Sequence, residues 1–273
     1  MVVNKIDVVV FCSMGLLAVY LFVQAPAPIA IANDLAGEKI HVNTLLTLVA
    51  QENNKARKLW TKQIVVAGKK SGLKFGEQWR DEGVDEGPLP ALFLRETASL
   101  LEKSPVPLSL FLGSDFPISS ANKFDGQQAV SFAAIRESGE SQFFYDGDVK
   151  RYTAMFPDRV VVEACANCHN KHKNSPKIDW AMNDIMGATT WAYPKEYVSR
   201  DELVKVISEL RGAFETAYKT YLEKTNTFSV KPEIGARWPE QGYHLPSSAV
   251  FIARLRMLAD GDTLAFLLAD SDG

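Results

Sequence analysis

Two cysteines and a histidine fall within five residues, Cys165-Ala166-Asn167-Cys168-His169. The chain has only 3 cysteines in 273 residues, and the third, Cys12, lies in an apolar run near the start. That count excludes a disulfide-stapled fold, so the cluster needs a local chemical reason. C-x-x-C-H is the attachment signature of c-type haem. The two thiols add across the two vinyl groups of the porphyrin, and the next residue brings its imidazole to the iron. The spacing is required because one tight turn must set two sulfurs along one porphyrin edge and a nitrogen at the metal. Cys165 and Cys168 are therefore the candidate attachment residues, and His169 the candidate proximal ligand.

Three other chemistries fit the cluster less well. A thioredoxin-like dithiol needs a strand-to-helix crossover context. A zinc site from Cys165, Cys168, His169 and His172 lacks the usual spacer between ligand pairs. A disulfide across two intervening residues is strained. For the second axial position of an iron, Met182, Met186 and Met155 are candidate thioether ligands, and each also fits as a core methionine. His172 follows His169 too closely to reach the opposite haem face, and is expected to be exposed or bonded to a propionate. Lys171, Lys173 and Lys177 read either as propionate partners or as a solvated basic loop. Trp60, Trp180 and Trp191 read as pocket walls or as ordinary core. His41 and His244 are isolated, and Asp179 and Asp184 read as turn and cap residues rather than as an acid–base pair.

Val8 to Val23 is a nearly unbroken apolar run preceded by Lys5. Sixteen helical residues span about 24 Å, short of a hydrocarbon core of about 30 Å, although continuing to Ala32 would reach across. The small residues at Ala25-Pro26-Ala27 and Ala30-Ile31-Ala32 also suit a secretory signal. Residues 1–32 are thus a membrane anchor or a signal peptide, and either sends the rest of the chain out of the cytoplasm.

Beyond this segment, apolar residues recur at helical intervals from His41 to about Ala67, and Gln51, Asn54, Lys55, Arg57 and Lys58 are expected on the solvent side. Gly68 and Gly72 end that helix. Residues 75–90 have loop chemistry, and Pro90 opens a helix to about Lys103. Strands are expected at 108–112, 142–145, 150–156, 159–163 and 187–193, with a helix at 124–137. Turns are expected at Asp146-Gly147-Asp148 and Pro157-Asp158. Connections this short require antiparallel pairing, so the fold class is α+β. Ser199 and Glu202 form a capping-box pattern, followed by a stripe of Leu203, Val206, Leu210, Phe214, Ala217 and Tyr221. Residues 225–246 read as irregular, with short helices at 248–258 and 263–268. Residues 199–273 are read as a helical C-terminal appendage. With 30 Lys+Arg against 33 Asp+Glu, the chain offers no positive field to nucleic acid.

The run from Glu163 to Thr190, EACANCHNKHKNSPKIDWAMNDIMGATT, carries more than the attachment signature. C-x-x-C-H-N-x-H-x-x-S-P-K-x-D-W, followed by a Met-Gly turn, resembles a family of PAS-like, single-haem c-type sensor domains. Leu108–Pro117, Phe124 and Phe143–Met155 also look like that family's core. Such domains form extracytoplasmic parts of bacterial chemotaxis receptors, nucleotide cyclases and histidine kinases, and also occur as stand-alone cytochromes. The resemblance spans about Asn33 to Pro194, within a domain assigned to residues 33–198. It implies a PAS-like antiparallel sheet flanked by a long N-terminal helix, with one covalent haem c between them on Cys165, Cys168 and His169. Some relatives supply a distal cysteine from the long helix, others a methionine or water. No cysteine lies between Asp34 and Ala164 here, which excludes the first arrangement.

The resulting expectation is a non-enzymatic redox or diatomic-gas (NO, CO or O2) sensor or binding module on the periplasmic side of the bacterial inner membrane. It would report through a signalling protein, with a homodimer as one arrangement. The alternative is a periplasmic electron-transfer cytochrome with a redox partner.

Overall fold

The computed structural model describes residues 39–269. The expected anchor or signal at residues 1–32, with Cys12, lies outside them. Among the described residues no helix is long and apolar enough to cross a membrane.

A short strand, β1 (Ile40–His41), leads into helix α1 (Val42–Leu59). His41 is the helix cap, its ring Nδ1 accepting the Asn43 N–H at 3.1 Å. The apolar spacing of α1 buries Leu45, Val49, Ala56 and Leu59. The rod continues through a π-helical stretch, Trp60–Val66, into α2 (Ala67–Lys70). Gly72 ends it with a left-handed φ of +98°. Gly68, expected as a terminator, is instead buried in the last turn against Leu73 and Phe75.

The paired strands β2 (Phe75–Gly76) and β3 (Gly87–Pro88) close the acidic loop. Helix α3 (Pro90–Leu101) follows, with Pro90 in its first turn. Next come β4 (Ser109–Gly113), α4 (Gly126–Ser138), β5 (Gln142–Asp146) and β6 (Arg151–Arg159). Helix α5 (Glu163–Lys171) then precedes β7 (Ile185–Tyr193) and β8 (Tyr197–Val198).

The long strands form one antiparallel sheet in the order β4-β7-β6-β5, and β1 pairs with β8. The structure corrects the expected turn at Pro157-Asp158 and the strand at 159–163. β6 runs straight through both turn residues, Pro157 opposite Ala188 and Asp158 opposite Gly187, and an irregularity follows at Asp158/Arg159. Glu163 belongs to α5.

The sheet is covered on both faces. Leu110, Ala154, Trp191 and Tyr193 join the core built on α1. On the opposite face Met155 and Ala188 pack with Phe124, Phe132 and Ile135.

The expected C-terminal helices are α6 (Arg200–Thr225) and, after the short parallel pair β9 (Glu233–Gly235) and β10 (His244–Pro246), α7 (Ser248–Ala269). α7 is one helix rather than two short ones. Leu203, Val206, Leu210, Phe214, Ala217 and Tyr221 of α6, and Phe251 and Leu255 of α7, are buried in the same core as α1. Ser199 caps α6 by accepting the Glu202 N–H at 3.2 Å. Only half of the capping box forms, because the Glu202 carboxylate turns to Lys195 Nζ at 2.9 Å and to the Tyr193 hydroxyl at 2.5 Å.

Candidate functional site

β6 does not release the chain cleanly. Beyond Arg159, the Val160 N–H donates to the Asp184 carbonyl at 2.9 Å, and the Asn183 N–H donates to the Val160 carbonyl at 3.0 Å. These two bonds pinch residues 161–184 into an excursion at one end of the sheet, and α5 lies on it. Gly187, next to this neck, packs against the Gly113 carbonyl with no room for a Cβ.

On α5, Cys165 is three residues from Cys168 and four from His169, spacings that share one helix face. Both cysteines are free thiols; Cys165 is half-buried and Cys168 exposed. Cys165 packs in a small cluster with Val160, Ala166, Trp180 and Met186.

The His169 ring is partly buried, and its Nδ1 has no hydrogen-bond partner among the described residues. Burial holds its pKa below the ordinary histidine value; His172 adds to the lowering and Glu77 opposes it. The imidazole is therefore neutral near pH 7, the form that ligates a metal.

The rest of the excursion braces this helix. The Asn170 amide donates to the Trp180 carbonyl at 3.0 Å and accepts the Trp180 N–H at 2.8 Å. Phe116 meets the Trp180 ring edge-on at 6.2 Å, and the Lys177 ammonium lies 4.7 Å from its centroid while pairing with Asp179. Asp184 caps the following turn by accepting the Ala181 N–H at 2.9 Å.

Of the three candidate methionines, Met186 is the one that packs against the same small cluster as Cys165. Met182 is 46% exposed, and Met155 is fully buried on the α4 side of the sheet. The His172 side chain, expected to be exposed or bonded to a propionate, is 14% exposed. Its Nε2 lies 3.1 Å from Glu77, and its Nδ1 accepts the Asn174 N–H at 3.2 Å, which ties α5 to the acidic loop. Lys171 and Lys173 are exposed. Trp60 and Trp191 sit in the main core, leaving Trp180 in the small cluster against which Cys165 packs. Among the described residues no group of three His, Cys, Asp or Glu side chains is placed to hold a metal ion.

Three residues of interest were not singled out by the sequence. Arg57, expected toward solvent, ion-pairs with Asp158 of β6, whose other oxygen accepts from the Thr189 hydroxyl at 3.3 Å. Asn53, one turn earlier on α1, is fully buried with neither amide atom hydrogen-bonded among the described residues. Its signal was available: a polar residue set in an otherwise apolar stripe.

A family model described as Tll0287-like matches residues 39–194, more than half of the chain. No curated protein and no solved structure shows significant similarity to it.

Proposed function

Because the chain belongs to the Tll0287-like family, a haem-binding sensor family of the cytochrome c type, we propose that it carries one covalent haem c and works as an extracytoplasmic redox or diatomic-gas sensor. The observation that carries this reading is the α5 face, where two free thiols and a partly buried imidazole stand at i, i+3 and i+4. This donor set fits the group. Cys165 and Cys168 would each add S–H across a vinyl C=C, with every atom retained in the thioether. His169 would give one ring nitrogen to the iron, leaving the other for a hydrogen bond. The haem supplies reversible one-electron chemistry and an iron able to take a sixth ligand.

The surrounding residues support a sensing role. Arg57 links α1 to the sheet beside the attachment helix, and Glu52 links the same helix to α6 and α7. A change in charge or ligation at the site would bias how α1 sits on the sheet, and a signalling partner would read that bias. A PAS-like sheet and no catalysis of its own belong to the same reading. So does a location on the periplasmic side of the bacterial inner membrane, which follows from the apolar N-terminal run and from attachment of c-type haem outside the cytoplasm. Electron transfer to a redox partner is the second reading, favoured by the exposure of Cys168.

The test is expression in a host with c-type haem maturation. The purified chain should be heavier by one haem and keep its pigment after acid–acetone extraction. Cys165→Ser with Cys168→Ser should abolish covalent pigment, and a red double variant would refute the attachment. His169→Ala should keep the pigment but lose the native axial-ligand spectrum. Rapid CO binding by the ferrous protein would favour gas sensing, whereas a six-coordinate ferrous spectrum indifferent to CO would favour electron transfer.

A further inference from the structure

We propose that Arg57 and Asp158 set the reduction potential of the iron bound at His169, acting as two opposed charges beside the attachment helix. The inference rests on the haem reading above and goes beyond it to the residues that tune the site.

Geometry carries the argument. Arg57 lies in the last turn of α1, and its guanidinium crosses to the sheet to pair with Asp158. Asp158 is fixed from a second side by the Thr189 hydroxyl at 3.3 Å. It is also the last regularly paired residue of β6 before the irregularity at Arg159. Two residues later Val160 belongs to the small cluster against which Cys165 packs, so the carboxylate stands at the base of the excursion that holds it. Cys165 lies close enough to Arg57 to raise the guanidinium pKa, behind the larger effect of Asp158.

The Arg57 and Asp158 side chains are 31% and 25% exposed. As a staple between helix and sheet, a partly exposed pair contributes little. As a source of field it matters more. Oxidation adds one positive charge at the iron, and charges partly withdrawn from water act on that change more strongly than the solvated Lys171 and Lys173. A nearby guanidinium favours the reduced state and raises the potential; a nearby carboxylate favours the oxidised state and lowers it.

The experiment is an optical redox titration of the haem-loaded full-length protein and its variants. Arg57→Gln should shift the midpoint downward, Asp158→Asn should shift it upward, and the double variant should return close to the parent. Arg57→Lys, which keeps the charge, should hold the parent value. A purely structural role predicts shifts of one common sign that add in the double variant, and that result overturns the proposal, as do unchanged midpoints in pigmented single variants. If Arg57→Gln does not accumulate, Asp158→Asn decides alone: an upward shift supports the proposal, and an unchanged or lowered midpoint refutes it. A parent protein without covalent pigment would instead refute the haem reading, a separate and visible failure.

Discussion

On the flank of α1 that meets the C-terminal helices, Glu52 is 1% exposed and fully engaged. Arg211 of α6 grips its carboxylate with two bonds, at 3.0 and 2.5 Å, and the Thr263 hydroxyl of α7 adds a third at 2.9 Å. On the flank that meets the sheet, the adjacent Asn53 is just as buried and its amide has no hydrogen-bond partner among the described residues, and the ion pair one turn on is partly open to solvent. Helical geometry explains how neighbouring residues serve such different surroundings, since successive side chains point about 100° apart. The contrast teaches that buried polarity has two uses along one helix. Where every group is paired it fixes the packing; where groups are left over they mark a surface built for something besides packing.

Three measurements test that contrast. Glu52→Ala removes the buried carboxylate held by the half-buried Arg211 and should destabilise the chain by about 3–5 kcal/mol in denaturant unfolding. A loss below about 1 kcal/mol would show that this flank is not the structural one. Asn53→Leu should act oppositely in the haem-free chain. Replacing an unpartnered buried amide by an apolar group of the same branched shape should stabilise it by about 1–3 kcal/mol, and a clear loss would mean that the amide is paired or that the site has no room for the larger methyl groups. Arg57→Gln should move the stability of the haem-free chain least, by about 0–1 kcal/mol. A larger cost would recast the Arg57–Asp158 pair as structural cement.

What the sequence made legible divides along the same line. The stripe from Leu203 to Tyr221 was readable because helical spacing is a local property, and every one of its six residues is buried. The C-x-x-C-H cluster stood out as a haem-attachment candidate because thioether chemistry demands its spacing, and the structure sets its three side chains at i, i+3 and i+4 of α5. Pro157 and Asp158 were misread because they have turn chemistry yet sit at the end of a long strand, held there by Ala188 and Gly187 thirty residues away. The short helices expected at 248–258 and 263–268 run on as the single helix α7, with no break between them. Glu52 and Arg57 were opaque for the complementary reason. Their partners, Arg211 and Asp158, lie 159 and 101 residues along the chain, where no periodicity reaches.

The neck below the attachment helix carries one more consequence. Its two closing bonds join main-chain groups, and Arg159 reinforces them by donating to the Asn183 carbonyl at 3.2 Å. Strand pairing at that end therefore does not depend on what the cysteines have captured. Under the proposed haem attachment, a chain that missed its maturation would therefore lack the pigment and still keep the main-chain pairing that closes this end of the sheet.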